Sequence, residues 1–517
     1  MNQTRLGCVL FATTASFNTQ SLDTVISNLR KKGVSNPIGL TTFPSHRGDA
    51  LSAPAGVDFL SSMEIGFLNW SPFEDSVLLD YEEFRHHPLF QQIRFLGLKL
   101  LNRNDLTGSL RFLDREVIFV AAVMGALTIL RSRAPAILVF DVTPHQFLQY
   151  TFWQVAQWLE IPILYFQPAG VGPFVLPKTT LETAAALPEE LQEQWDSQDE
   201  CLAIFENELS RLETGMDPPY MVSQKARDIA VHARKQKLRS LKASAKALFK
   251  PATSGSLDFT GHTGGTGIFW NAFRILLTRS LGSSLKSRLE QAPLARKPSK
   301  KFAIFALHYE PERTSLPEGL PIDFQADAVV SARNILPQDY HLLLKEHYSQ
   351  SSRALRGWTG RSPLLYDYFS KFPGTHLLDT NLRLSDFLFE AQIVFTLTGS
   401  IAIEAALRGT PVGYFGNPWW AGMPGTSRVE PNTAWEQLSG SPAADPLEAK
   451  KFLRAMVESK MFPGIGGENI ANATRRFGSL PADLLRDEAH GIAACVLQEI
   501  SKPITQPPRK NATDPLR

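Results

Sequence analysis

The sequence predicts an α/β protein built from two Rossmann-like halves, and three observations carry that expectation. Apolar runs of strand length alternate with helical stretches from residue 1 to about 175, and again from 301 onward. The clearest unit lies between Leu382 and Trp420. There Ile393 to Leu397 reads as a buried strand, Thr398-Gly399-Ser400 breaks it, Ile401 to Leu407 is helical in composition, and Val412 to Phe415 is a second strand. Polar and charged residues also gather just past the strands, where open parallel sheets hold ligands. At 517 residues the chain is too long for one core.

Composition narrows the class. A 43% hydrophobic and 20% charged chain is that of a soluble globular protein, and a net charge of +2 makes no general case for nucleic acid. Cys8, Cys201 and Cys495 are scattered without metal-ligand spacing, which fits reduced thiols in the cytoplasm. Gly7 to Ala15 resembles a short secretion-signal core, but the amphipathic stretch Ser21 to Lys32 that follows suits a βαβ unit better, so a first strand is expected. Val117 to Leu130 is bounded by charges and falls short of the ~20 residues a bilayer needs, so a buried helix is expected there.

In chain order, residues 1–176 form the first half. Ile38 to Thr42 is a strand, 49–70 reads as loop, and Phe84 to Asn102 and Arg115 to Ser132 read as helices. Ala136 to Phe140 is a fully apolar strand ending in Asp141-Val142-Thr143-Pro144-His145; Phe147 to Leu159 is a helix and Ile163 to Phe166 a strand. Residues 177–300 read as a helical insertion and linker, with an acidic amphipathic stretch (Leu187 to Leu212) and a basic one (Gln224 to Lys250). The basic stretch suits either a solvated face or contact with anionic lipid on the inner face of the plasma membrane. The second half, 301–480, opens with the strand Phe302 to Leu307, followed by His308-Tyr309-Glu310-Pro311-Glu312-Arg313; His341 to Leu344 is a strand ending in Lys345-Glu346-His347. Residues 481–500 read as a closing helix and 501–517 as a disordered tail.

Three strand ends of the second half thus bring together a lysine, an arginine, imidazoles, carboxylates and a helix start. Such a set suits a phosphate whose charge grows as a bond to it breaks. Thr398, Gly399 and Ser400 offer backbone N–H groups and hydroxyls at a helix N-terminus, or simply a tight turn with Ser400 as cap. Glu404, one turn on, is placed to receive a ribose hydroxyl. Arg361 adds a possible bidentate contact. Trp419 and Trp420 suit either sugar stacking or a domain seam, the seam being favoured.

The runs LHYEPERTSLPEG, LLLKEHY and TLTGSIAIEAALRGTPVGYFG, with Gly360-Arg361 before an aromatic helix, resemble the capsule polysaccharide biosynthesis family across roughly Phe302 to Trp420, with a weaker echo in Ala136 to Gln167. Assigned members are glycosyltransferases, including Kdo-transferring enzymes. The resemblance implies a GT-B architecture, in which two Rossmann-like domains face a cleft, and a final helix crossing back to the first domain. It implies a sugar nucleotide held by Lys345, His347, Thr398, Ser400 and Glu404, with no metal and no cofactor, and the strand-end reading adds His308, Glu310, Arg313, Arg361 and Gly399 to the substrate-binding candidates. The glycan or lipid-linked acceptor would meet the first domain, whose Asp141, and secondly His145, is the expected base. Tyr348 stands where related CMP-sugar enzymes often have proline, which leaves the nucleotide open. Two rival readings are a sugar-nucleotide epimerase of the UDP-GlcNAc 2-epimerase type and a non-catalytic carbohydrate-binding assembly protein.

Overall fold

Two sheets, each wrapped by helices, organise the chain in the computed structural model. It describes residues 8–13, 19–34, 38–42, 57–61, 73–104, 110–188, 195–232, 301–310, 312–351, 357, 360–379, 382–440 and 445–502. The first half runs β1 (Val9–Thr13), α1 (Thr19–Lys31), β2 (Ile38–Thr42), β3 (Asp58–Ser61), α2 (Asp75–Arg85), α3 (Pro88–Asn104), α4 (Phe112–Arg133), β4 (Ile137–Phe140), α5 (Phe147–Trp158), β5 (Ile163–Pro168) and β6 (Phe174–Lys178). Two helices of the insertion follow, α6 (Gln198–Thr214) and α7 (Pro219–His232). The second half runs β7 (Phe302–Ala306), α8 (Gln325–Ile335), β8 (His341–Lys345), α9 (Tyr348–Ser351), α10 (Pro363–Phe369), β9 (Thr375–Leu377), α11 (Ser385–Leu388), β10 (Val394–Thr396), α12 (Ile401–Ala406), β11 (Val412–Tyr414), β12 (Thr426–Arg428), α13 (Trp435–Ser439) and α14 (Pro446–Lys460). The chain then returns as β13 (Phe462–Pro463), α15 (Ile470–Phe477) and α16 (Leu484–Ser501).

The first sheet has the order β13-β6-β5-β4-β1-β2-β3, and β3 to β5 pair in parallel through β2, β1 and β4. The second, β12-β11-β10-β7-β8-β9, is parallel throughout. Parallel strands need both faces covered, which is why β4 and β5 are apolar on either side. Leu10, Leu138 and Tyr165 pack into the core under α3, α4 and α5, while Val9, Val139 and Leu164 pack against α1 and α16. The apolar run predicted as a buried helix is α4, most of whose middle is buried. Asp114 fixes its start by accepting the Arg111 N–H at 2.9 Å.

The last helix packs against the first half. Val25 and Ile26 of α1 share a core with Ala489, Ile492 and Val496 of α16. This is the GT-B layout of two Rossmann-like units joined by a returning helix. The return begins earlier than residue 481, because Phe462–Pro463 already pairs antiparallel with Phe174–Val175 as the edge of the first sheet. Prolines at 177 and 463 are tolerated in these two outer strands. The 49–70 stretch expected as loop contains β3, paired parallel to β2. The single helix expected over Phe84 to Asn102 is two, broken at His86-His87 ahead of Pro88. Of the basic stretch, 224–232 belongs to α7; the rest, like the 501–517 tail beyond Lys502, lies outside the described residues. No helix among the described residues is long and apolar enough to cross a membrane.

Candidate functional site

The carboxyl ends of the two sheets meet at one junction. Thr143, just past β4, donates its hydroxyl to the buried Glu318 carboxylate at 2.8 Å, and Arg313 donates to the same oxygen at 3.1 Å. Arg103, at the end of α3, reaches across to the Leu316 carbonyl (3.1 Å) and the Ser315 hydroxyl (3.3 Å). Lys99 pairs with Asp323 at 3.3 Å. The 312–323 loop is pinned from behind, where Asn417 donates to the carbonyls of Glu318 and Leu320.

His308 is a structural hub. Its Nε2 accepts the Thr398 N–H at 3.1 Å and lies 3.1 Å from the Thr396 hydroxyl, so the ring proton sits on Nδ1, facing the Thr314 hydroxyl. Burial first, with His347 and the Arg361 guanidinium nearby, pushes its pKa down to about 3, which keeps the ring neutral. Thr396 Oγ1 takes the Gly399 N–H, and the Thr398 hydroxyl donates to the Thr314 carbonyl at 2.7 Å. A Cβ on Gly399 would sit 2.8 Å from Thr396 Oγ1, so a larger residue there would force the Thr396 hydroxyl to shift. The N–H groups of Thr398 and Gly399, expected to face a phosphate, are thus spent within the protein. Ser400 is exposed at the head of α12, which is only six residues long.

Arg361 is also engaged internally. It contacts Glu346 and Glu310 at 2.9 Å each and the His308 carbonyl at 2.7 Å, with the arginine and Glu346 side chains both essentially unexposed. Burial works against its charge, but Glu346 and Glu310 outweigh this and hold the guanidinium pKa above its ordinary value. Tyr366 adds a hydrogen bond to Glu346 at 2.7 Å, and Gln325 one to Glu310 at 2.7 Å. This network fixes the turns after β7 and β8 against each other.

Two expected residues keep groups to offer. The Ser349 N–H donates to His347 Nδ1 at 3.2 Å, so the neutral ring carries its proton on Nε2, with no acceptor within hydrogen-bond distance among the described residues. Burial lowers the His347 pKa, while Glu312 and Glu346 oppose that shift. Lys345 is buried, donates to the Asp379 carbonyl at 2.7 Å and has its pKa pushed down to about 8, first by burial. Glu404 stands farther along, 3.4 Å from Arg408; burial pushes its pKa up to about 7 against the pull of Arg408 and Arg211. Asp217 acts on both Lys345 and Glu404, and Glu312 on both His347 and Arg103. Through these shared charges Glu404, Lys345, His347 and the junction form a rim of electrostatically coupled groups.

On the first half, the His145 Nδ1 lies 2.9 Å from the Thr143 carbonyl, so it is the donor and Nε2 keeps its lone pair. Burial, with Arg313 and Arg103 nearby, pushes its pKa down to about 4. Asp141 is buried on the other face of β4, beside Glu488 of α16. Trp419 and Trp420 are buried in the core that ties Phe174 and Phe205 to the second sheet, which is the seam reading. Sequence reasoning missed Arg103, Glu318 and Glu488, since each looks like an ordinary surface charge until its distant partner is known. Among the described residues no group of three His, Cys, Asp or Glu side chains is arranged to hold a metal.

No family model and no curated protein matches the chain. Among solved structures it is similar to the Thermosulfurimonas dismutans KpsC beta Kdo 2,7 transferase (10% identity, 68% of this chain and 87% of that chain, TM-score 0.27). It is similar as well to UDP-GlcNAc 2-epimerase from Neisseria meningitidis (11%, 95% and 100%, 0.19) and the glycosyltransferase SnogD from Streptomyces nogalater (13%, 94% and 99%, 0.20). TM-scores of this size decide nothing about function; that reading comes from the chain's own sheets and side chains.

Proposed function

We propose that the protein is a metal-independent GT-B-type glycosyltransferase that moves a sugar from a nucleotide donor to a glycan or lipid-linked acceptor in bacterial capsule or surface polysaccharide synthesis. The observation that carries this is that donors past β8 (Lys345 and His347) and a lone-pair nitrogen past β4 (His145) both neighbour the charged groups of the junction, His347 through Glu312 and His145 through Arg103 and Arg313. In this reading Lys345 and the His347 Nε2–H receive the leaving phosphate, whose growing charge they stabilise. Glu404 meets the nucleoside end. Thr398, Gly399, Arg361, Glu310 and His308 hold the turns that aim these groups, and Arg313 sets the junction through Glu318.

The acceptor hydroxyl gives its proton to the first half as its oxygen bonds to the sugar carbon, and the carbon–phosphate oxygen bond breaks with its electron pair going to the phosphate. His145 is the better-placed base, because its Nε2 has no partner among the described residues and its Nδ1–H is anchored on a backbone carbonyl. An arriving phosphate offsets the positive field of Arg103 and Arg313 and so raises the basicity of His145. Asp141 acts behind it, at the contact with the closing helix. The capsule assignment rests on the sequence resemblance, and a contact with the inner membrane would come from the basic stretch beyond α7.

The test is incubation with CMP-, UDP-, GDP- and dTDP-sugars, with and without glycan acceptors. Acceptor-dependent nucleotide release supports transfer. Epimer formation without acceptor would replace it with the epimerase reading, and binding without turnover would leave a carbohydrate-binding protein.

A further inference from the structure

The α6–α7 hairpin belongs to the insertion, and the resemblance assigns it nothing. Yet it packs against the turn past β8, and its charges act on Glu404 and Lys345. Arg211 and Asp217, at and just after the end of α6, act on Glu404, and Asp217 with Lys225 of α7 acts on Lys345. Lys225 pairs with Asp217 and lies over the Tyr348 ring, 5.3 Å from its centroid. Gln224 is more than nine-tenths buried, and its Oε1 accepts the Ser349 hydroxyl at 3.1 Å. Ser349 is the residue whose N–H sets the His347 tautomer.

The amide nitrogen of Gln224 is buried with no acceptor among the described residues. A buried N–H left unpaired carries a free-energy penalty and calls for an explanation. Here it lies one hydrogen-bonded residue from a second donor with no acceptor among the described residues, the His347 Nε2–H. Lys345 and Lys225 add two ammonium groups, and of these Lys225 is held by a carboxylate on its own hairpin. Beside the carboxylates of Asp217 and Glu346, two buried N–H donors and two ammonium groups thus lie close together, and all four are groups from which a phosphate accepts.

We propose that α7 contributes Gln224 and Lys225 to the donor site as phosphate-contacting residues, with Asp217 as the internal anion that the phosphate displaces from Lys225. This rests on the reading above that the rim takes a nucleotide. Gln224 then gains the acceptor it lacks, and Lys225 exchanges one anion for another. The hairpin moves as the exchange occurs, since the Gln224 nitrogen is enclosed before it. The insertion is thereby part of the donor pocket and a determinant of how tightly the nucleotide end is held.

The experiment is calorimetric titration of the full-length protein with CMP, UMP, UDP, GDP, dTDP and inorganic pyrophosphate. The variants are Gln224→Leu, Gln224→Glu, Lys225→Met, Asp217→Asn, Lys345→Ala and His347→Ala, each checked for a native circular dichroism spectrum. For the nucleotide that binds the wild type, Gln224→Leu and Lys225→Met should weaken affinity about tenfold each. Gln224→Glu should weaken it more, because it sets a carboxylate against the phosphate. Asp217→Asn should tighten binding several-fold by freeing Lys225, an outcome a merely structural salt bridge would not give. Wild-type affinity in Gln224→Glu and Lys225→Met, with binding lost in Lys345→Ala and His347→Ala, overturns the proposal and leaves the donor rim standing. No binding of any probe to the wild type overturns both.

Discussion

Glu488 sits on α16 with its side chain enclosed, and its Oε1 accepts the N–H groups of Gly466 at 2.7 Å and Ile465 at 3.0 Å. Burial, aided by the charge of Asp141 and opposed by those two hydrogen bonds, pushes its pKa up to about 8 from an ordinary 4.5. The folded protein therefore holds a proton that the unfolded chain has released between those two values. Wild-type stability is intact with respect to this group below pH 4.5 and is lost as pH rises toward 8. Holding the carboxyl protonated at pH 7, 2.5 pH units above its ordinary value, costs the folded state about 3 kcal/mol at roughly 1.4 kcal/mol per unit. Glu488→Gln keeps the carbonyl acceptor and removes the titration. Its advantage over wild type should be near zero at pH 4.5, about 3 kcal/mol at pH 7, and level above pH 8. Urea unfolding followed by tryptophan fluorescence at pH 5, 7 and 9 measures this directly. A variant destabilised equally at all three values would show that Glu488 is ionised in the folded protein and that this reasoning is wrong.

Three further outcomes follow from the same geometry. Arg361→Met strands the enclosed Glu346 and its neighbour Glu310, and should cost about 3–5 kcal/mol, read as a large drop in the urea midpoint. Ser400→Ala should change nucleotide affinity less than twofold in titration calorimetry, because α12 is short and the turn before it is spent on His308; a tenfold loss would return the phosphate to that helix start. His145→Gln should lower kcat for sugar transfer about a hundredfold with donor affinity unchanged, within the range expected for loss of a general base. Equal losses in kcat and donor binding would instead make His145 a binding group.

Much of the fold was legible because parallel strands must be apolar on both faces. Ala136 to Phe140, Phe302 to Leu307 and His341 to Leu344 stood out for that reason, and all three are strands. The βαβ unit around Thr398 was legible from its turn chemistry. What stayed hidden depends on distant partners. β6 and β13 pair across nearly three hundred residues, and both contain proline, so neither has a local strand signature. Charge identity was readable, but the direction of each side chain was not. Arg361 looked like a phosphate ligand and is instead the counter-ion of two glutamates, and His308 looked free but is used at both nitrogens. The insertion gave only its helical period; that Gln224 and Lys225 lie over the β8 turn is visible only in three dimensions.

The claim everything else depends on is that the groups past β8 hold a nucleotide leaving group while the loop past β4 activates an alcohol. Acceptor-dependent release of nucleotide, followed in wild type, His347→Ala and Thr143→Val, tests it most directly. The account predicts release by the wild type, a loss of at least tenfold in His347→Ala through weaker donor binding, and a smaller loss in Thr143→Val as the junction loosens. Full activity in His347→Ala, with the protein natively folded, would contradict it.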